Sequence, residues 1–288
     1  MFAIILQLIF NGLMLGSLYA LAAVGLSLIF GIMGVVNLSH GSQLAMAVFI
    51  SFWLYSWLRC DIITAAVLSV LLVFLIGLFI ERVAIYPFRA EEMKLIVMTF
   101  GLGKILEQII YLIWGPIYIT TPIYISGSID LFGVTLVIYR VFLLIFSIAL
   151  ILLLWIFIQR FKLGKAIRAV AQDEEAAAIY GVNVRWIRTL TFAIASALAA
   201  VAGVFLSSIF MFQSASGWEY LSIALSITIV GGLGDIRGAI VASFIMGLVE
   251  SCIGYFISPL WRATVYFVLI IIILTIKPSG ISGLFRRG

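Results

Sequence analysis

The sequence predicts an all-α polytopic membrane protein of about eight to nine transmembrane helices, two of them interrupted by glycine-rich breaks. Hydrophobic residues make up 65% of the 288 residues, charged residues only 10%, and mean hydropathy is +1.30. A soluble domain carries about 25% charge, and no soluble fold could hide this much apolar surface. The apolar residues run continuously instead of alternating, which favours helices over a barrel. Residues 1–288 are therefore expected to form a single transmembrane domain, with 160–188 as a water-exposed loop within it.

A bilayer core takes about 20 apolar residues per helix. The first such run, 4–30, follows Met1-Phe2-Ala3-Ile4; with no basic n-region, a cleaved signal peptide is not expected. Further runs lie at 36–58, 61–80, 95–115, 137–159, 188–212, 220–234, 238–257 and 261–277. Gly12, Gly16 and Ala20 in the first run, and Ala195, Ala199 and Gly203 in the sixth, recur every four residues. That spacing places them on one helix face and allows close helix packing. In the fourth run Lys104 and Glu107 stand three apart and can form an intramembrane pair. Between 116 and 136, Gly115-Pro116, Pro122, Gly127 and Gly133 signal a loop over the outer mouth, built as a short hairpin or an interfacial segment. The run 220–234 is short and glycine-rich and is expected to be a half-helix. Glu250 in the eighth run has no obvious partner in the sequence.

Lys and Arg set the orientation. Placing 81–94, 160–188, 235–237 and the C-terminus inside puts 13 of the 17 basic residues in the cytoplasm. Nine crossings then leave the N-terminus outside. The net charge of +5 follows from these short basic loops and implies no nucleic-acid partner. Cys60 and Cys252 show neither pairing nor metal spacing and read as packing residues. His40 is the sole histidine and has no companion ligands at metal spacing, so no metal site is expected.

The two breaks are Gly31-Ile-Met-Gly34-Val-Val-Asn37-Leu-Ser39-His40-Gly41 and Gly231-Gly232-Leu-Gly234-Asp235-Ile-Arg237-Gly238. A broken helix bares backbone N–H and C=O groups, tolerated in a membrane only under protein or in a water-filled cavity. Transporters use such breaks to aim half-helix ends at polar cargo. Asn37, Ser39, His40, Gly41, Gly231, Gly232 and Gly234 are thus candidates for a translocation path or gate. The alternative is that Asn37, Ser39 and His40 only satisfy loose backbone groups. The second break lacks the Lys-Ser/Thr of a phosphate-binding loop and follows no strand, which excludes nucleotide binding there.

The densest charge lies at 160–188, with nine of the 29 charged side chains. Within it Asp173 can cap a helix, and Glu174 and Glu175 suit its positive end. Ala176, Ala177 and Ala178 favour helix, and Gly181 can take the left-handed position that ends one. A two-turn helix is too short to stand alone and needs a surface to dock on. Glu175-Ala176-Ala177-x3-Gly181 matches the Glu-Ala-Ala-x3-Gly signature of ABC importer membrane subunits. Lys162 to Asp173, the first break, Phe100-Gly101-Leu102-Gly103 to Trp114-Gly115, and Gly231 to Gly234 match too, in order and over nearly the whole chain. Together they resemble the shorter permease subunit of the branched-chain amino acid transporter family.

That resemblance implies a permease domain over 1–288 whose segment Asp173, Glu174, Glu175, Ala176, Ala177 and Gly181 is the ATPase-coupling helix. It implies a second permease subunit, two ATPase subunits that bind ATP and Mg, and an extracytoplasmic binding protein over loops near 116–136 and 213–219. No cofactor belongs to this chain, and no catalytic residue. The expected location is the cytoplasmic (inner) membrane, with the coupling loop and the C-terminus in the cytoplasm. Related permeases also move urea, short-chain amides or other amino acids, so those cargoes stay open. A secondary transporter or channel would need intramembrane ionisable groups that the chain mostly lacks. An intramembrane enzyme would need a convergent set, and only His40 with Ser39 or Ser42 offers one.

Overall fold

The computed structural model describes residues 2–89, 91–122, 125–131, 134–258, 261–276 and 280–281. Lys277, Arg286, Arg287 and Gly133, on which parts of the topology reading fall, lie outside the described residues. Helix α1, Phe2–Met33, is the axis of the bundle: it is apolar on every side, and from Gly12 to Ile29 nearly all of it is buried within the chain, while Ile4, Ile5 and Ile9 stay exposed. Its 32 residues span about 48 Å at 1.5 Å each, more than the hydrocarbon core needs. Helix α10, Ile236–Phe256, runs antiparallel along it. Their glycines set the distance, because a Cβ on Gly12 would lie 2.7 Å from the Leu248 Cα, and one on Gly16 would lie 2.8 Å from the Phe244 Cα. The stripe expected to be packing is packing.

Helix α3, Ile62–Ile80, starts with Asp61 accepting from the Ile63 N–H and ends in a π turn, Glu81–Ile85, and a 3₁₀ turn, Tyr86–Phe88. Helix α4, Glu92–Trp114, returns across the bundle and buries only the stripe Leu95, Thr99, Gly103, Leu106 and Ile110. The loop beyond it forms an antiparallel hairpin, β1 Ser128–Leu131 with β2 Val134–Val137, in register Ser128↔Val137 and Leu131↔Val134. Helix α5, Ile138–Arg160, leads back to two short helices, α6 Lys162–Gln172 and α7 Glu174–Ile179, and then to α8, Val184–Leu206. Among the described residues, α1, α3, α4, α5, α8 and α10 are the six helices long and apolar enough to cross a membrane.

Three remaining helices are shorter. Helix α2, His40–Ser56, is expected from sequence to cross fully as 36–58; it does not. His40 Nε2 lies 3.0 Å from the Ala22 carbonyl oxygen, so α2 starts partway up α1, about 16 Å above Met33 at 1.5 Å per residue. Residues 34–39 climb that distance without helix. Helix α8, expected to reach 212, stops at Leu206, and the chain turns back into the bundle. Ile119 and Phe212 exchange both backbone hydrogen bonds there as an isolated bridge, so the loop after α4 satisfies the returning segment. Helix α9, Ser216–Gly231, begins against the start of α2 and runs the other way, as the expected half-helix. Helix α11, Arg262–Ile276, packs on α9.

The second glycine break is not a broken helix. It is a tight turn that joins α9 to α10, with Gly232 at φ +104° and Gly234 at φ +81°. A Cβ on Gly231 would lie 2.6 Å from the Ala239 amide nitrogen, so the two helix ends touch through backbone. The turn rests beside the end of α1, where the Gly234 carbonyl oxygen would be 3.5 Å from a Cβ on Gly31. The breaks therefore differ in kind: the first precedes a helix that starts partway along α1, the second follows one at the bundle's end.

Candidate functional site

The loop-bearing end of the bundle gathers the basic segments that sequence placed together. Asp173 Oδ1 accepts from the Ala176 N–H at 2.9 Å, Asn183 Oδ1 caps α8 from the Trp186 N–H at 3.0 Å, and Gly181 ends α7 at φ +83°. Helix α7 therefore has the start and stop that its residues predict. Its base is Ala177, buried with Ile167, Val170 and Ile187 against Ile32 at the end of α1. Its other face carries Glu175 and Ala178 and ends in Ile179 and Tyr180, which are 83% and 88% exposed. An apolar tip this bare on a six-residue helix is suited to insertion into a partner.

Beneath α7 lies a charged junction that the sequence reading missed. The buried Arg188 donates to Glu174 Oε2 at 2.9 Å. Its neighbour Thr189 donates to Glu81, a buried carboxylate in the π turn of α3. Arg82, Arg185 and Arg188 act on that carboxylate, and Arg185 also stacks 4.3 Å from the Tyr86 ring centroid. A charge that stays at the end of a long apolar run was the available signal. Glu174 thus links α7 through α8 to α3, within two side chains.

The expected path residues lie elsewhere, at the level where α2 and α9 begin. Asn37 Oδ1 accepts from the Ser39 amide at 3.1 Å and the Ser39 hydroxyl at 2.7 Å, while Gln43 Nε2 donates to Ser39 Oγ at 3.2 Å. Asn37, Ser39, His40 and Gly41 are all buried within the chain. Asn37 Nδ2, His40 Nδ1 and Gln43 Oε1 find no partner. A Cβ on Gly41 would run into the Gly217 carbonyl oxygen and lie 2.7 Å from the Leu221 Cβ. Within the stretch 213–219, expected as an outer loop, Ser216 and Gly217 are buried at this interior junction, while Gln213, Ala215 and Glu219 stay exposed. Gly231, Gly232 and Gly234 are separate from it, in the turn at the loop-bearing end.

Lys104 and Glu107 form their expected pair at 2.8 Å, and Trp218 of α9 joins them by donating from Nε1 to Glu107 Oε2 at 2.6 Å. Glu250 has the partners that sequence did not reveal: the Tyr19 hydroxyl donates at 3.1 Å, and the Tyr266 hydroxyl donates as well. Among the described residues no three His, Cys, Asp or Glu side chains gather as a metal site.

Six helices long and apolar enough to cross a membrane, with shorter helices meeting among them, define a polytopic membrane protein. Residues 8–274 match the family described as branched-chain amino acid transport system / permease component, and the chain belongs to that family. It is 30% identical over 98% of its length to the high-affinity branched-chain amino acid transport system permease protein LivH of Salmonella typhimurium, of which 96% is covered. It is 29% identical over 96% of its length to BraD of Pseudomonas aeruginosa, a permease protein of the same description, with 95% of BraD covered. A solved chain of PsaBC from Streptococcus pneumoniae, determined in complex with Fab, shares the fold with a TM-score of 0.52 at 17% identity, over 96% of this chain and 94% of that one. This chain is accordingly an integral membrane permease subunit of the ABC importer type.

Proposed function

We infer that this chain forms one membrane half of an importer for branched-chain amino acids, paired with a second permease across a central path. Two ATPase subunits hold ATP and Mg and dock on α7 from the cytoplasm. A binding protein delivers cargo at the opposite end, over the hairpin of β1 and β2. The observation that carries this reading is the build of α7: capped by Asp173, anchored by Ala177 and Glu174, and bare at Glu175, Ala178, Ile179 and Tyr180. Closure of the ATPases pushes α7, and Arg188 passes the push to α8 and α3. The bundle answers as a rigid body, the kind of switch packed helices allow. Asn37 to Gly41 and the turn at Gly231 to Gly234 serve as the gate elements between inward- and outward-facing states. The coupling loop and C-terminus face the cytoplasm, and the start of α1 faces outward.

ATP-dependent uptake of labelled leucine, with urea as control, tests this in proteoliposomes holding both permeases, the ATPases and the binding protein. Leucine uptake is expected, and Glu175→Arg is expected to abolish it while the complex stays assembled. Urea uptake without leucine uptake would change the cargo. Uptake that ignores both ATP and Glu175→Arg would reject the importer.

A further inference from the structure

Lys104 is the thirteenth residue of the 23-residue α4, and it sits at the level where α2 and α9 start. A Cβ on the adjacent Gly103 would lie 3.3 Å from both the Leu38 carbonyl oxygen and the Trp218 ring. In a bilayer this is the centre. A lysine stem reaches about 6 Å, whereas the nearest interface is about 15 Å away, so snorkelling cannot rescue the ammonium. Yet the Lys104 side chain is 51% exposed on the chain, against 19% for Glu107. An ammonium turned outward at this depth cannot face acyl chains; it needs water or protein over it.

The groups around it are arranged in a particular order. Glu107 lies deeper and is held by two donors on one oxygen, Lys104 Nζ and Trp218 Nε1. Lys104 Nζ also sits 4.6 Å from the Trp218 ring centroid, and Phe100 packs on that ring at 5.3 Å. Exposed Phe100 and Ile105 flank the pair with apolar surface. A cation, an anion and an aromatic face within one side chain of each other, beside apolar surface, complement a small aliphatic zwitterion. Its carboxylate would take Lys104, its ammonium would take Glu107 and the indole face, and its side chain would lie on Phe100 and Ile105. An ion pair half open to water exchanges partners at low cost, which suits passing cargo.

We propose that Lys104, Glu107 and Trp218 form a station on the wall of the central path that receives the charged end of a zwitterionic amino acid. This rests on the importer reading above and names the part of the wall that meets cargo. It also turns this face of α4 toward the water-filled space between the two permeases, not toward lipid.

The test uses the assembled importer in proteoliposomes. Lys104→Cys, in a chain whose Cys60 and Cys252 are replaced by serine, is treated with a membrane-impermeant cationic thiol reagent. Labelling is expected. Leucine moved per ATP hydrolysed is expected to fall about tenfold or more in Lys104→Gln and in Glu107→Gln, the scale of one lost charge-assisted hydrogen bond. Lys104→Arg is expected to restore most of it. A purely structural pair would lower uptake and ATP hydrolysis together. Failure of the Lys104→Cys chain to label, or full leucine transport per ATP in both Gln variants, overturns the station. Wild-type uptake reads the importer separately: if the unaltered complex moves no amino acid, that reading fails first, whatever the labelling shows.

Discussion

Inside the bundle, α2 and α9 meet backbone to backbone through Gly41 and Gly217, with no side chain between them. At the loop-bearing end, α7, α8 and α3 meet through carboxylates, a guanidinium and a hydroxyl, in Glu174, Arg188, Thr189 and Glu81. A glycine crossing is stiff because close-packed atoms have nowhere to go. An ionic junction has alternative partners, since Arg82 and Arg185 stand beside Glu81 as well as Arg188. The first arrangement suits a fulcrum and the second a joint that must shift when α7 is pushed. The comparison can be broken at either place.

The largest effect is expected at the fulcrum. Even the first carbon of a side chain at Gly41 collides with Gly217 and crowds the Leu221 Cβ at 2.7 Å. Gly41→Leu is expected to destabilise the subunit by about 3 kcal/mol or more, since overpacking against backbone has no flexible partner to yield. The measurement is thermal unfolding of the detergent-solubilised complex. Gly101→Ala is the control: nothing lies within 4 Å of a Cβ there. It should be neutral, or stabilising by up to about 1 kcal/mol through helix propensity. Equal melting of Gly41→Leu and the unaltered protein would remove the fulcrum.

At the joint, Arg188→Met removes the guanidinium that holds Glu174 and leaves Glu81 with fewer neighbouring cations. The Arg188 side chain is 6% exposed but Glu174 is 42% exposed, so the arm to α7 alone contributes at most about 1 kcal/mol. Loss of charge beside the buried Glu81 raises the expected total to about 2 kcal/mol. Leucine moved per ATP hydrolysed should fall by more than the loss of stability alone explains. Glu81→Gln in the same chain should cost less than the sum of the two changes, because the carboxylate no longer needs the cation. Additive unfolding energies would show that Glu81 and Arg188 do not share a network.

The two regions were unequally legible in the sequence. The capped α7 follows from local chemistry alone: Asp173, three alanines and Gly181 act within a few residues of each other, and the helix forms where they place it. Long apolar runs likewise mark α1, α3, α4, α5, α8 and α10, because burial along a whole span writes itself into composition. At the interior junction the break at Gly31 to Gly41 was legible, but the start of α2 was set too early. A helix that starts halfway across looks like one that crosses when its preceding residues, Val35 and Val36, are apolar too. Ser216 to Trp218 read as an outer loop because polarity there reports contact with α2 and Glu107, not with solvent. The Glu250 partners Tyr19 and Tyr266 lie 231 and 16 residues away, and no spacing rule reaches such pairs.

The smallest expected effect sharpens the comparison most, because it touches α7 without touching its joint. Asp173→Ala removes the side chain that accepts from the Ala176 N–H and leaves Ala177 and the Glu174–Arg188 pair in place. A lost N-cap costs about 1 kcal/mol, a factor of about five in the local opening equilibrium. Amide exchange measured across Glu174 to Tyr180 should therefore quicken about fivefold, with global melting nearly unchanged. Uptake should fall less than in Arg188→Met, because a frayed helix still pushes on an intact joint. If exchange in α7 stays as slow as in the unaltered chain, the helix is held by its base and not by its cap, and the joint carries more of its order than the local sequence suggests.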